Sequence, residues 1–342
     1  MGAIKTLKMC FYKAVFGGLR MKKYIKAVSV LLSILMLFAF ASGCAGTGSD
    51  NKNTPKPTEA PADNTPEAEP TAEPEPDPTP EPKSGFELHF IDIGTGDGML
   101  LICDGEAMVI DSGNVGRGET MVNYVKSQGV ESLKYLMVTH GHADHVGGMP
   151  EIIDAFPFET MFINVDQRCD EEPWLNLLGI IEQKGITPVN PAVGDVYTLG
   201  GGSFKILTPL KEDKNNLNNN SIGIKFTYGT NTFLLLGDSQ QAVETQLLKE
   251  EGVDLRADVF KADHHASNAG NVRKFLEAVA PTYICVQVGT ENKLGYPDKT
   301  TISRLEKNCE ALYRNDLHGT VVFCSDGSSI SVVTEKTPEA AE

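Results

Sequence analysis

From about residue 86 onward, short apolar runs recur along the chain, each bounded by glycine, asparagine or aspartate. Between several of them the apolar spacing lengthens to three and four residues. Short runs of β-branched and aromatic residues between turn signals read as strands, and the longer period reads as helix. The pattern predicts strands at Phe86 to Ile93, Met99 to Cys103 and Ala107 to Asp111, then a helix from Thr120 to Gln128. A buried strand from Tyr135 to Val138 follows, then a helix from Val146 to Phe156, a strand at Met161 to Val165 and a helical stretch from Trp174 to Lys184.

Farther on, strands are expected at Asp195 to Thr198 and Phe204 to Thr208, turning at Gly200-Gly201-Gly202. Ile222 to Tyr228 and Thr232 to Leu236 read as a hairpin across Gly229-Thr230-Asn231. A strand at Val259 to Ala262, a helix at Val272 to Val279, and strands at Thr282 to Val288, Thr320 to Cys324 and Ser329 to Val333 complete the pattern. Strands and helices that alternate, mixed with hairpins, imply an α/β fold with a sheet-on-sheet core and helices outside.

The first 84 residues have a different texture. Lys22, Lys23 and Lys26 precede an apolar stretch from Ala27 to Phe40, and Ala41-Ser42-Gly43 stands before Cys44. That order is that of a bacterial export signal starting at Met21, and small residues before a cysteine resemble a lipoprotein box, with Ala41 in the usual leucine's place. The apolar stretch is about 14 residues, short of the roughly 20 that span a bilayer. Residues 1–44 are therefore read as an N-terminal extension and lipoprotein-type signal, with Cys44 lipidated and the protein extracytoplasmic on the cell membrane. Residues 45–84 carry ten of the nineteen prolines among Glu, Asp, Thr and Ala, the texture of a semi-rigid spacer. The remainder, 85–342, is the folded domain, and at 41% apolar residues the chain can build a real core.

Charge narrows the substrate. The chain carries −16; residues 1–49 hold +7 and 50–84 hold −6, which leaves −17 on the domain. Duplex nucleic-acid binders normally show a basic face, so a long nucleic acid is not supported by charge. Cysteine says little: five fall in the domain, an odd number, without a C-x-x-C pair, and Cys103, Cys285 and Cys324 sit on apolar strands as core residues.

The chemistry concentrates in Thr139-His140-Gly141-His142-Ala143-Asp144-His145, between a strand and a helix. Only seven histidines occur in 342 residues, and three of them fall here. On a tight loop these side chains split, with His140 and His142 facing one ion and Asp144 and His145 a second. Imidazole with carboxylate suits zinc, manganese or iron. Asp92 and Asp97, in the Gly-rich turn after the first strand, are either braces under this loop or ordinary turn residues.

The pattern H-x-H-x-D-H resembles the signature of the metallo-β-lactamase superfamily. Phe90-Ile91-Asp92-Ile93-Gly94-Thr95-Gly96-Asp97-Gly98, Ile110-Asp111-Ser112-Gly113, Leu236-Gly237-Asp238 and Asp263-His264-His265-Ala266-Ser267 are similar to the boxes of one branch, the hydrolase domain of ComEC-type DNA-uptake proteins and its free-standing relatives. The resemblance covers about Phe86 to Val333. It implies an αββα sandwich of the metallo-β-lactamase type and two divalent ions, zinc or manganese. It implies His140, His142 and Asp238 on one ion, and Asp144, His145, the bridging Asp238 and His264 on the other. His265 then contacts the leaving group or phosphate, although sequence does not order the pair.

Asn220 and Ser221 stand where many members place another histidine, and with Asn268 are candidate substrate donors. Ser267 and Tyr296 join Asp144 and His265 as candidate catalytic groups. The resemblance implies an exported hydrolase acting on phosphoesters, a phosphodiesterase or nuclease. Its substrate would be single-stranded DNA or a cell-envelope polymer, with membrane contact through Cys44 and no protein partner. Ala266 and Tyr296 depart from the branch, which usually has glycine and histidine there. Those departures keep open a surface binding protein with weakened catalysis, beside a teichoic-acid-type esterase.

Overall fold

Alternation along the strands decides which face of each sheet meets which layer. The structure, a computed structural model, describes residues 84–290 and 294–337; the leader, Cys44 and the linker before Ser84 lie outside the described residues. In chain order the elements are β1 Phe86–Phe90, β2 Met99–Cys103, β3 Glu106–Ile110, α1 Gly118–Ser127, β4 Leu133–Met137, α2 Ala143–Val146, α3 Met149–Ala155, β5 Phe158–Phe162 and α4 Glu172–Lys184. The second half holds β6 Val196–Leu199, β7 Gly202–Thr208, β8 Gly223–Tyr228, β9 Asn231–Leu235, α5 Gln241–Leu247, β10 Val259–Lys261, α6 Arg273–Val279 and β11 Tyr283–Val286. It closes with α7 Lys299–Glu306, β12 Ala311–Arg314, α8 Asn315–His318, β13 Val321–Ser325 and β14 Ile330–Thr334.

Two seven-stranded sheets form, in the orders β14-β13-β1-β2-β3-β4-β5 and β12-β11-β10-β9-β8-β7-β6. Phe86, Leu88 and Phe90 of β1 point into the space between the sheets and meet Phe226, Phe233 and Leu235 of the other sheet. Phe86 stacks on Phe226 at 4.2 Å between ring centroids. The opposite face of the first sheet, with Leu100, Val109 and Leu136, is covered by α1, α3 and α4 through Met121, Ile152 and Trp174. The outer face of the second, with Leu234 and Phe260, is covered by α5, α6 and α7 through Val243, Phe275 and Leu305. This is the αββα sandwich. Full burial of each such side chain contributes about 1.5–3 kcal/mol, so the three apolar layers hold the architecture.

Within each sheet the strands that carry the chemistry are parallel: β3, β4 and β5 in the first, and β9 to β12 in the second. Their C-terminal ends therefore open on a common edge, where functional groups of α/β sheets collect.

Several details differ from the expected elements, among them the short helix α8, which had no expected counterpart. The helix expected from Val146 to Phe156 is two helices, α2 and α3, joined at Gly147 and Gly148. The strand expected at Met161 to Val165 lies earlier, at Phe158–Phe162, where its pairing with β4 holds it. Helices α5 and α7 had no sequence signal because they are short and mostly polar; α7 buries only Thr301 and Leu305 and starts on the Asp298 cap. The edge strand β12 is half-buried throughout and lacks a clear alternation.

Candidate metal centre

Three strand ends deliver the cluster. β4 runs out at Met137, and Val138 N–H still donates to Phe162 carbonyl at 2.9 Å, so the chain stays in the sheet one residue longer. Thr139 then turns it: its N–H and Oγ1–H donate to the two oxygens of Asp111, at 2.8 and 2.7 Å. Asp111 itself sits at φ 57°, a left-handed conformation uncommon outside glycine, and its side chain is locked by these bonds. His140 and His145 are fully buried, and His142 is half-exposed at the rim.

Glycine is required where the loop crosses its neighbours. A Cβ on Gly147 would lie 2.2 Å from Val115 N, and one on Gly96 would lie 2.1 Å from Asp144 carbonyl oxygen. The loop is thus seated directly on the turns that follow β1 and β3.

The side chains converge. His145 Nε2 is 3.2 Å from Asp238 Oδ2 and 3.8 Å from Asp144 Oδ1. His265 Nε2 is 3.4 Å from both Asp144 Oδ2 and Asp238 Oδ2. His140 Nε2 is 3.9 Å from Asp238 Oδ2 and 2.9 Å from His142 Nδ1. Asp238 is therefore the common neighbour of His140, His145, His264 and His265, in the central position expected of a bridge.

The other ring nitrogens decide which lone pairs are available. His145 Nδ1–H donates to Asp111 Oδ2 at 2.8 Å, and His265 Nδ1–H donates to the Gln287 carbonyl at 2.9 Å. Both rings are thereby held with Nε2 aimed at the cluster, the orientation a ligating histidine needs. His145 Nε2, His265 Nε2 and Asp238 Oδ1 are buried without a hydrogen-bond partner. Such orphans are costly unless something else satisfies them. His140, His145 and Asp238 form one group with ligand atoms within 4.8 Å of one another, and Asp144, His145 and His265 form another. Imidazole nitrogens and carboxylate oxygens in closed, water-poor groups of three fit divalent cations such as zinc or manganese.

The histidine pair is ordered by geometry, and in the reverse of the expected sense. His264 lies outside the three-residue groups, although its Nε2 is about as near Asp238 Oδ2 as that of His140. Its Nε2 faces Asn218 Nδ2 at 3.2 Å, its Nδ1 faces Ser267 Oγ at 2.8 Å, and its nearest approach to Asp238 is 3.8 Å. The cause is local: His264, His265 and Ala266 all have positive φ, 48°, 52° and 56°. That coil swings the second ring, not the first, into the cluster.

The remaining expected residues divide. Tyr296 lies over the pair, its ring centroid 6.3 Å from His265 and 5.4 Å from His264. Ser267 is buried beneath His264. Ser221 is fully buried, with Oγ accepting from Asp238 N–H at 3.1 Å and donating to the Asn218 carbonyl at 2.7 Å. It braces Asp238 and does not present a donor to substrate. Asn220 lines the cavity beside His142, with both ends of its amide held by the Asp213 backbone at 2.7 and 2.8 Å. Asn268 is exposed beyond the cluster. Asp92 is a turn residue, accepting from Gly94 N–H at 3.3 Å and pairing with Lys336, whereas Asp97 is fully buried beside the histidines.

Sequence reading misses Lys261. It is fully buried at the end of β10, with Nζ 2.7 Å from Asp97 Oδ2 and 3.1 Å from the Gly237 carbonyl. Its signal is a single charge inside an apolar strand directly before the histidine pair. Asp111 stands out in the sequence only as part of a motif, and Gln287 carries no signal at all.

The electrostatics follow the geometry. Burial opposes a charge on His145, but Asp238, Asp111 and Asp144 outweigh it and push its pKa well above the ordinary value. Burial likewise opposes a charge on His265, yet Asp238 and Asp97 push it up to about 10. His140 goes the other way, well down, through burial and the charge on His145. Burial would raise Asp238, but His265 and His145 hold it well below the carboxylate range. The cluster is a carboxylate-rich cage that wants positive charge.

The family model of the metallo-beta-lactamase superfamily matches residues 94–285. ComE operon protein 3 of Bacillus subtilis (strain 168) is 23% identical over 258 residues, 69% of this chain and 33% of that protein. Recombination protein 2 of Haemophilus influenzae (strain ATCC 51907 / DSM 11121 / KW20 / Rd) is 25% identical over 254 residues, 70% of this chain and 29% of that protein. Both are ComEC-type proteins, the branch the motifs resemble, and the chain spans about a third of their length. Among solved structures, CmlA, a diiron beta-hydroxylase from Streptomyces venezuelae, is similar with a TM-score of 0.46 and 16% identity, covering 71% of this chain and 54% of that one.

Proposed function

Because this chain belongs to the metallo-β-lactamase superfamily, we propose that it is a dinuclear metal-dependent phosphodiesterase acting on small or single-stranded phosphodiesters. The observation that carries the reading is the pair of tautomer locks. Asp111 and the Gln287 carbonyl fix His145 and His265 with their Nε2 atoms turned on Asp144 and Asp238. His140, His142 and Asp238 would hold one ion, and Asp144, His145, Asp238 and His265 the other. When bound, divalent ions supply Lewis acidity for the phosphoryl oxygens and activate water for in-line attack.

The chain's own groups do the rest. Asp238, held by Ser221 through its backbone N–H, keeps both halves in register. Tyr296 packs against His264 and His265, close enough to the cage to contact an oxygen of a substrate held there. Its phenol is held protonated by burial and by Asp238 and Asp144, so it is a hydrogen-bond donor. His264 has both ring nitrogens engaged, by Asn218 on one side and Ser267 on the other, and supports the cluster from beside it. This set of polar groups around a complete cage argues for catalysis over a surface protein that only binds. We also propose export and lipid anchoring through Cys44, from the basic n-region and the small residues before that cysteine.

The test is turnover by the purified protein of bis(p-nitrophenyl) phosphate, a short single strand, duplex DNA, a thioester and nitrocefin, with and without chelator. The expected result is chelator-sensitive cleavage of the small phosphodiester and the short strand, with weak salt dependence. Each phosphate gripped by a basic residue steepens the salt slope, and a domain carrying −17 has no basic excess to offer. Tight, steeply salt-dependent cleavage of duplex DNA would overturn the small-substrate reading. Turnover of the thioester or nitrocefin alone would overturn the phosphodiester reading.

A further inference from the structure

Beside His142 a cavity of about 500 Å³ opens next to the cage. One wall is the segment 164–171 after β5, and the other is the loop 212–217. The first wall is tied to the ligand loop: Gln167 Oε1 accepts from Gly141 N–H at 3.1 Å, and Glu171 Oε2 accepts from Ala143 N–H at 2.8 Å. A substrate whose phosphorus lies at the cage must extend one substituent into this space or past it.

The walls restrict what that substituent can be. Among the described residues no aromatic ring but His142 lines the cavity, so a nucleobase finds no stacking platform, a contact worth about 1–3 kcal/mol per base. Asp166, Asp170, Glu171, Glu212 and Asp213 face only Arg168 and Lys214, so a second phosphate meets a net negative wall. Cys169 and Leu217 are the only apolar side chains among the described lining residues, too few for an acyl chain. What remains is a dense set of carboxylates and carboxamides, including Asn164, Asn190 and Asn215. Hydroxyl groups both donate and accept, and they match such a lining. Gln167 adds one more sign: its Nε2, in a side chain only 8% exposed, has no hydrogen-bond acceptor among the described residues.

We infer that this pocket takes a neutral polyhydroxylated substituent of the scissile phosphate, a glyceryl or glycosyl group. The inference rests on the phosphodiesterase reading and names the substrate class for it. A quaternary or primary amine would be drawn by the same carboxylates, but the cavity lacks the aromatic cage that recognises quaternary ammonium.

The experiment is calorimetric titration of the metal-loaded full chain with glycerol 3-phosphate, glucose 1-phosphate, methyl phosphate, phosphoethanolamine and thymidine 5′-monophosphate. Either polyol phosphate, or both, should bind at least about tenfold more tightly than methyl phosphate, a difference of about 1.4 kcal/mol. The two arms tell a glyceryl from a glycosyl preference. Asn190→Ala and Asn215→Ala, at exposed positions where folding is not at stake, should bring the ratio to within about threefold. Equal binding of all five, or tightest binding of the nucleotide or of phosphoethanolamine, overturns the inference. Turnover of bis(p-nitrophenyl) phosphate is followed in parallel. A protein that cleaves it without the polyol preference refutes the pocket alone. A protein that shows the preference but cleaves no phosphodiester refutes the hydrolase reading and leaves the pocket standing.

Discussion

Lys261 places a full positive charge under a cage that is itself built for cations. Its ammonium is fully buried and meets Asp97 at 2.7 Å, and Asp97 in turn lies 3.4 Å from His265 Nδ1. Removing one partner of a buried pair leaves the other charge uncompensated, at a cost of about 3–5 kcal/mol. Lys261→Met should therefore lower the unfolding free energy from urea titration by that amount, and the double change with Asp97→Asn should recover part of it. The histidines make a second prediction at this scale. His145 and His265 have pKa values raised above the unfolded value of about 6.5, His265 to about 10. A raised histidine contributes stability that is fully present below its unfolded pKa and is lost as pH rises through the folded one. The metal-stripped protein should therefore lose Tm steadily from about pH 6.5 to about pH 10. The loaded protein, whose rings are neutral ligands, should not. Thermal scans in chelator across that range check it, and a flat Tm in the stripped protein would contradict the cage electrostatics.

At the scale of elements, the ligand loop works because α2 and α3 break at two glycines and seat on the turns after β1 and β3. A methyl on Gly147 would meet backbone atoms, Val115 N at 2.2 Å and Asn114 C at 2.4 Å, which cannot step aside as a side chain can. Gly147→Ala should cost about 1–3 kcal/mol as overpacking, and should lower metal content through the displaced loop. Denaturant midpoint and metal analysis on the same sample check both effects. The loop itself was legible, because three histidines and an aspartate crowded into six residues between a strand and a helix seldom gather except around a metal. The order of His264 and His265 was not. Three consecutive left-handed residues set their directions, and no sequence period encodes such a coil. Lys261 escaped for a related reason: a lysine in a short strand ordinarily marks an exposed face, and only the tertiary pairing with Asp97 buries it. Helices α5 and α7 escaped because each is short and buries only two or three side chains, too few to set a period in the sequence.

For the whole molecule, the sandwich could be read from strand and helix alternation because two long apolar faces per sheet need covering, and αββα is the arrangement that covers them. The acidic balance of the chain, −16, acts at the same scale. It leaves the cage and the polar cavity beside His142 as the places where a phosphate ester is gripped, in place of an extended basic groove. The proposed chemistry requires that the cage hold two ions through His265 and not through His264. Metal analysis of the purified protein after reconstitution tests it most directly, with His265→Ala and His264→Ala measured alongside. The account predicts about two ions per chain for the parent, about one or fewer for His265→Ala, and about two for His264→Ala. A parent that holds no ion, or a His264→Ala protein that loses one while His265→Ala keeps both, would contradict it.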